Sequence, residues 1–401
     1  MPNRGKFIGN DNLYVPDAPT IGTATGGEGQ LSITFTAPSD VGNDAITGFI
    51  ASATTGSTVV GATGTSSPIT ISGLSNGSAY TVTVAAQNDY GTGPSSSASG
   101  SVTPAAIRAL TFGGQDSGQS TVVDYFAVAS TGNASDFGDL SSGRNNMGAV
   151  HNATRALVGG GMTDAGGTKS NIIEYFTIAS TGNATDFGDM TTTIRGLTGS
   201  INNSTRGVWS GGYVGSSRVN TIQYVTVAST GNASDFGDLT NQTGWASQAS
   251  SSTTGFTIGG EIQGVGAGNV IQSITTASTG NASDFGDSTI SRSFHSSGSS
   301  STRAITGGGI EGTNVIDYFS MASSGNAVDF GNAISEGFLY GQGTAESETR
   351  LCFCGGHVAG VKSNVIQYIT IASTGDAQDF GDLTVARTRT TSTSNGGGGL
   401  S

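Results

Sequence analysis

Asp136 and Asp139, Asp186 and Asp189, and Asp235 and Asp238 stand three residues apart in successive copies of one short motif, Asp-Phe-Gly-Asp. Paired carboxylates at that spacing could hold calcium, which takes oxygen ligands. The fifth copy carries Asn332 in place of the second Asp, a change that a metal site tolerates poorly. The aspartates are therefore read as turn caps accepting backbone N–H bonds, and no metal or cofactor is expected. A basic column accompanies them: Arg108, Arg155, Arg206, Arg303 and Arg350 each open an apolar run, with Thr254 in the fourth place. These arginines are expected to pair with the repeated aspartates. His151, His295 and His357 fall in different columns, too scattered for a copper site built from His and Tyr ligands. Cys352 and Cys354 lie two apart on one expected strand, where a direct bridge is strained, and are read as small core residues. No nucleophile, base and orienting acid emerge together, so a non-enzymatic protein is expected.

The elements that must carry these columns follow from comparing the chain with itself. The motif recurs with its aromatic residue at Phe137, Phe187, Phe236, Phe285, Phe330 and Phe380, at intervals of 50, 49, 49, 45 and 50 residues. Each unit opens with the basic residue and an apolar run ending in paired glycines, as in Arg155-ALVG-GG. After a loop of variable length comes a second β run with a tyrosine at 125, 175, 224, 318 or 368, a column that Ser273 breaks. A TGNA turn follows, in which Gly supplies positive φ and Asn tolerates it, and DFGDL returns as a third strand. A fourth stretch of small and polar residues, such as RGLTGSINN, leads to the next unit. Four strands per unit make a propeller blade. The fold class is thus all-β, with a six-bladed β-propeller over residues 105–401. The array opens on an Arg-GG strand, while RTRTTSTSNGGGGLS is of the fourth type, so the C-terminal strand is expected to close the ring and remove its exposed edges.

Paired glycines after an apolar strand, followed by Tyr on the next, resemble the kelch and galactose-oxidase type of propeller over nearly 300 residues. The outer strands carry Phe where kelch repeats usually show Trp. The DFG triplet matches the metal-binding Asp of protein kinases, but its periodic copies mark a blade element. Asp-x-Gly is also similar to the Asp-box turns of sialidase propellers, without their following Trp. Between residues 16 and 104 the pattern changes to short β-rich runs separated by turns, which predicts a seven-stranded sandwich. This segment resembles a fibronectin type III domain at Leu74-SNGSA-Tyr80-TVTVAAQN-DYG, with Leu74 and Tyr80 in the corner-tyrosine arrangement. Tyr80, Val82 and Val84 should face its core, and Phe35 stands where that family usually has Trp.

Composition narrows the function classes. Gly is 66 of 401 residues and charged residues are 11%, yet apolar residues reach 34%, which reads as folded, turn-dense β structure. A net charge of -13 excludes a nucleic-acid partner, which needs clustered Lys and Arg. Residues 1–15 form a polar arm without a secretory apolar stretch, and no run is long enough to insert in a membrane.

In an antiparallel array the near-identical TGNA turns occupy one face and the loops that differ between units occupy the other. Repeat scaffolds use such loops for binding, so Lys169, Tyr213, Arg218, His357 and Lys362 are the candidate ligand contacts. TGNAxDFGDL arrays joined to a fibronectin-like module are similar to structural proteins of marine tailed bacteriophages. That resemblance implies a virion component, a tail, fibre or surface appendage within a symmetric assembly. The arm and sandwich would join other virion proteins, and the propeller would meet host-surface glycans. A bacterial surface adhesin or secreted carbohydrate-binding protein, and a propeller enzyme, are the alternatives.

Overall fold

The computed structural model describes residues 14–197, 201–309, 313–334, 338–339, 341–358, 360–397 and 400. Regular structure among them is all β. The chain divides into two compact units, Met1–Ala106 and Ile107–Ser401. Of the expected arm, residues 1–13 lie outside the described residues. Tyr14 is held by the first unit: its N–H donates to Gly42 O at 3.2 Å, and its carbonyl accepts from Asn88 Nδ2 at 2.8 Å.

In the first unit, alternation of apolar and polar residues places one side of each strand in the core. Thr20–Gly27, Gln30–Thr36 and Ile69–Ser72 form one sheet, and Thr58–Gly64, Gly48–Thr55, Thr81–Asn88 and Gly91–Thr92 the other. Leu31, Ile33 and Ile71 of the first sheet meet Phe49, Ala51, Val82 and Val84 of the second in one buried cluster. Tyr80 is buried as expected, and its Oη accepts the Ser75 N–H at 3.1 Å, which pins the corner. Phe35 lies against Phe49 with ring centroids 4.7 Å apart.

Among the described residues the second unit contains six antiparallel sheets of one design, beside two small loop sheets, numbered 1 to 6 in chain order by their strands Arg108–Phe112, Arg155–Gly159, Arg206–Ser210, Thr254–Ile262, Arg303–Gly307 and Arg350–Cys354. Sheet 2 shows the pattern: Gly148–His151, Arg155–Gly159, Ile172–Thr177 and Thr185–Asp189, in spatial as in chain order. The small polar stretch of each repeat therefore pairs with the Arg-GG strand of the following repeat. For sheet 1 that place is taken by Thr391–Ser394, which pairs antiparallel with Arg108–Phe112. The apolar clusters lie between successive sheets. Phe112 and Phe137 of sheet 1 pack with Phe176 of sheet 2, Phe187 of sheet 2 with Trp209 of sheet 3, and so on to Phe380 and Cys352 of sheet 6, which pack with Ala109 and Phe126 of sheet 1.

The repeated motif residues meet at these joints. The DFG glycines stand against the TG turn of the next sheet. A Cβ on Gly138 would meet Gly182 O at 2.3 Å, and the series runs through to Gly381, whose Cβ would meet Gly132 O at 2.4 Å. The Asp139 N–H donates to Asn183 Oδ1 at 3.1 Å, and the same bond recurs from Asp189 to Asn232, Asp238 to Asn281, Asp287 to Asn326 and Asp382 to Asn133. Asn in TGNA is thus not present for its tolerance of positive φ, which in these turns only glycine adopts, at Gly132, Gly231 and Gly375. Its amide oxygen caps a backbone donor one sheet away. The Asn332 substitution finds its counterpart here: the facing turn carries Asp376, whose carboxylate accepts the Asn332 N–H at 2.9 Å. Acid and amide have exchanged sides, so two carboxylates never face each other at this joint.

The arginine column does not pair with the aspartates. Arg155 Nη1 donates to the carbonyl of Ala228 at 2.9 Å, in the next sheet, and its guanidinium lies 4.6 Å from the centre of the Tyr175 ring. Arg108, Arg206, Arg303 and Arg350 repeat this arrangement over Tyr125, Tyr224, Tyr318 and Tyr368. Planar guanidinium suits both roles, stacking and multiple donation. Thr254 and Ser273 therefore replace one unit together, not two residues separately. The innermost strands are polar for a related reason. Each would leave an unpaired edge, and hydroxyls or amides of the next strand fill it: His151 N–H to Asn202 Oδ1 at 2.7 Å, Asn202 N–H to Ser250 Oγ at 3.0 Å, Ser250 N–H to Ser299 Oγ at 3.3 Å.

Candidate functional site

The glycine pairs and the segments that cross from one sheet to the next share one end of the array. Gly161 N–H donates to Ile194 O, Gly212 N–H to Thr243 O and Gly356 N–H to Arg387 O, each at 2.8 Å. Antiparallel alternation sends the TGNA turns to the other end. At the glycine end the crossing segments each contribute one residue in the left-handed region: Asn146, Gly196, Trp245, Phe294, Gly341 and Arg389, with φ from +56° to +78°. Gly196 N–H donates to Asn146 O at 3.0 Å, Trp245 to Gly196 at 3.1 Å, Phe294 to Trp245 at 3.0 Å and Gly341 to Phe294 at 3.1 Å. Thr390 N–H to Gly341 O at 3.0 Å and Asn146 N–H to Arg389 O at 3.2 Å complete a closed ring. Glycine adopts this conformation freely, whereas bulky residues are outliers there, at a cost of about 1–3 kcal/mol each.

Beneath the ring, three buried ion pairs hold the crossings. Arg144 faces Glu174, Arg292 Nη2 lies 2.5 Å from Asp317, and Arg387 Nη2 lies 2.6 Å from Asp124. Each arginine also reaches backbone carbonyls, as from Arg387 Nη1 to Val122 O at 2.6 Å. Burial lowers the Arg144 and Arg387 pKa values, and the partner carboxylates work against that shift. The equivalents of Glu174 in sheets 3 and 4 are Gln223 and Gln272, whose amide oxygens accept from Thr191 and Thr240 as Glu174 accepts from Ser141. Where the crossing residue is Ile194 or Thr243 the facing residue is Gln. Where it is Arg, the facing residue is an acid.

The five expected contact residues lie on three loops. Tyr213 and Arg218 are register partners in a short hairpin, and both reach Glu261 on the next sheet, Arg218 at 2.5 Å. Tyr213 is largely buried. Burial first, then the Glu261 carboxylate, raises its phenol to about 12, so it stays protonated and donates. His357 and Lys362 are likewise register partners, and Lys362 Nζ donates to the Asp116 carbonyl of sheet 1's loop. Lys169 bridges Met162 across the loop of sheet 2. Most of the loop IEGT lies outside the described residues.

Residues that sequence reasoning left aside sit beside Tyr213. Its ring lies 5.4 Å from that of Trp245, which stacks on Phe294 at 4.1 Å and 20°. The Arg195 guanidinium lies 5.2 Å from the Tyr213 ring centre and 5.5 Å from that of Trp245. Gly244 is needed for this arrangement, since a Cβ there would meet Tyr213 Cε2 at 2.2 Å. The buried ion pairs were also missed, although the coupled exchange of Arg–acid for Ile–Gln or Thr–Gln between repeats signals them.

Among the described residues no cluster of three or more carboxylate, imidazole or thiol groups could hold a metal ion. His151 and His295 are fully buried, and burial lowers His151 to about 3. Burial raises the Cys354 thiol to about 12.

Residues 17–102 match the fibronectin type III domain family. No curated protein matches the chain.

Proposed function

We propose that the second unit is a closed six-bladed β-propeller, and that the chain is a non-enzymatic structural protein of a tailed-phage virion whose glycine-loop face binds host-surface glycans. The observation that carries this reading is a division of labour. Near-identical residues make the same contact at joint after joint from sheet 1 through sheet 6 and back to sheet 1, from Gly138 against Gly182 to Gly381 against Gly132. The loops at the other end differ in length and chemistry. Scaffolds of this kind display variable loops for recognition. Four side chains suited to nucleophilic or acid–base work, His151, His295, Cys352 and Cys354, are turned into the protein, which supports the non-enzymatic reading.

In this reading the N-terminal arm and the fibronectin type III domain join other virion proteins, as such modules commonly connect. Mass spectrometry of purified particles of a phage encoding the chain tests it. Peptides from both units at a fixed ratio to known tail proteins are expected. Particles free of the chain would contradict the assignment.

A further inference from the structure

Thr58–Gly64 is the outer strand of the second sandwich sheet, and it lacks the guards that other edge strands of the chain carry. The outermost strands of sheets 1 to 6 each hold a bulge at the motif phenylalanine and one or two carboxylates. Thr20–Gly27, at the edge of the first sandwich sheet, is interrupted between Ile21 and Ala24, and its Gly27 carbonyl accepts the Ala105 N–H at 3.2 Å. Charges, bulges and proline are what keep an exposed edge from adding a strand. Thr-Val-Val-Gly-Ala-Thr-Gly has no charge, no proline and an unbroken register, and Val59 is 61% exposed.

The groups this edge offers follow from the register of its sheet. Gly93, Ser96 and Ser99 N–H donate to Ala86, Val84 and Val82 O, each at 2.8 Å, so the alternate residues Thr81, Thr83 and Ala85 bond to Gly48–Thr55. Carried across Thr54↔Thr81 and Thr55↔Thr58, the alternation turns Thr58, Val60, Ala62 and Gly64 towards Gly48–Thr55. Val59, Gly61 and Thr63 therefore point N–H and C=O outward, and among the described residues no hydrogen bond reaches them there. Gly61 is the middle residue of the strand. A two-fold axis beside it, perpendicular to the sheet, lays a second copy antiparallel with Gly61 on Gly61, Val59 on Thr63 and Val60 on Ala62, and every outward group is bonded. A charge on such an edge would meet its own like across the axis, and this edge has none. The β-branched Val59 and Thr63 would instead form cross-strand pairs of the kind that stabilise a sheet.

We infer that Thr58–Gly64 pairs with the same strand of a second copy of this chain about a two-fold axis at Gly61, joining two sandwich sheets into one. This goes beyond the virion reading and does not depend on it. Sedimentation equilibrium of the full chain tests it, with mass followed against concentration. The contact is small, so a weak dimer is expected, its mass rising from 39.8 kDa towards twice that value. Lys or Glu at position 61 faces its own like charge across the axis. Gly61→Lys and Gly61→Glu should each weaken the dimer about tenfold, and an equimolar mixture of the two should recover it. A Cβ at Gly61 would lie 3.5 Å from Ala51 O, an ordinary contact, so both variants should melt at or above the wild-type temperature. A wild-type chain that stays monomeric at millimolar concentration overturns the proposal. A mixture that pairs no better than its components overturns it too, since the axis would not lie at Gly61. Should the charged variants fail to fold, Gly61→Pro removes only an outward N–H and must weaken the dimer. An undiminished Gly61→Pro dimer overturns the pairing.

Discussion

Arg144 and Glu174 are both buried, and each has a neighbour in the repeat series that does without charge. Removing one partner of such a pair leaves a desolvated charge and costs about 3–5 kcal/mol, whereas replacing both can be nearly neutral. Sheet 3 gives the replacement, Ile194 with Gln223 nearby. Arg144→Ile or Glu174→Gln alone should therefore lower stability by about 3–5 kcal/mol in denaturant unfolding, and the double variant by about 1 kcal/mol. Additive losses would deny the coupling. Glu346 is a second residue with a measurable signature. It lies buried on an innermost strand, where a Cβ on Gly397 would meet its Oε1 at 2.3 Å. Burial, with the Glu348 carboxylate adding to it, raises its carboxyl to about 8. A carboxyl raised in the folded state binds protons more tightly there, so stability falls as pH climbs from its ordinary 4.5 towards 8. His151, lowered to about 3 from 6.5, acts oppositely and takes stability away as pH falls through that window. Burial holds His295 well below 6.5 as well, so between pH 4.5 and 6.5 the two histidines outweigh the one carboxyl, and melting temperature should rise with pH there and decline only above 6.5. Glu346→Gln should abolish the alkaline decline, and a decline unchanged in that variant would assign it elsewhere.

At the scale of the element, the joint explains what was legible in the sequence and what was not. The period, the strand runs and the closing strand could be read, because apolar alternation and turn glycines are local signals. The partner of Asp139 could not, because Asn183 stands a full repeat away and the motif looks self-contained. The arginines were misassigned for the same reason: Asp is their nearest opposite charge in sequence, while their targets are carbonyls on the next sheet and a tyrosine on their own. The left-handed ring was invisible, since Asn146, Trp245, Phe294 and Arg389 share a backbone angle and no side-chain type. In the sandwich, by contrast, Tyr80, Val82 and Val84 fill the core as alternation demanded. One prediction belongs here. Installing the missing clamp by Thr254→Arg with Ser273→Tyr should raise stability by about 1 kcal/mol, more than the two single changes summed. A double variant no better than that sum would show that sheet 4 lacks the geometry for the clamp.

For the whole molecule, the same residues that repeat are the ones that face inward or across joints, and those that differ face the glycine-loop end. Mutational tolerance should follow this split. Gly188→Ala, which would place a Cβ at 2.5 Å from Gly231 O, should cost about 2–3 kcal/mol by thermal unfolding, while changes at Lys169 should stay within about 0.5 kcal/mol. The central claim is that this end of a phage-borne propeller engages host-surface sugars, and competition for adsorption tests it most directly. Host cells are saturated with the purified full chain, and the adsorption rate of particles carrying it is measured. Saturating wild-type chain should slow adsorption several-fold. Adsorption unaffected by saturating wild-type chain would contradict it.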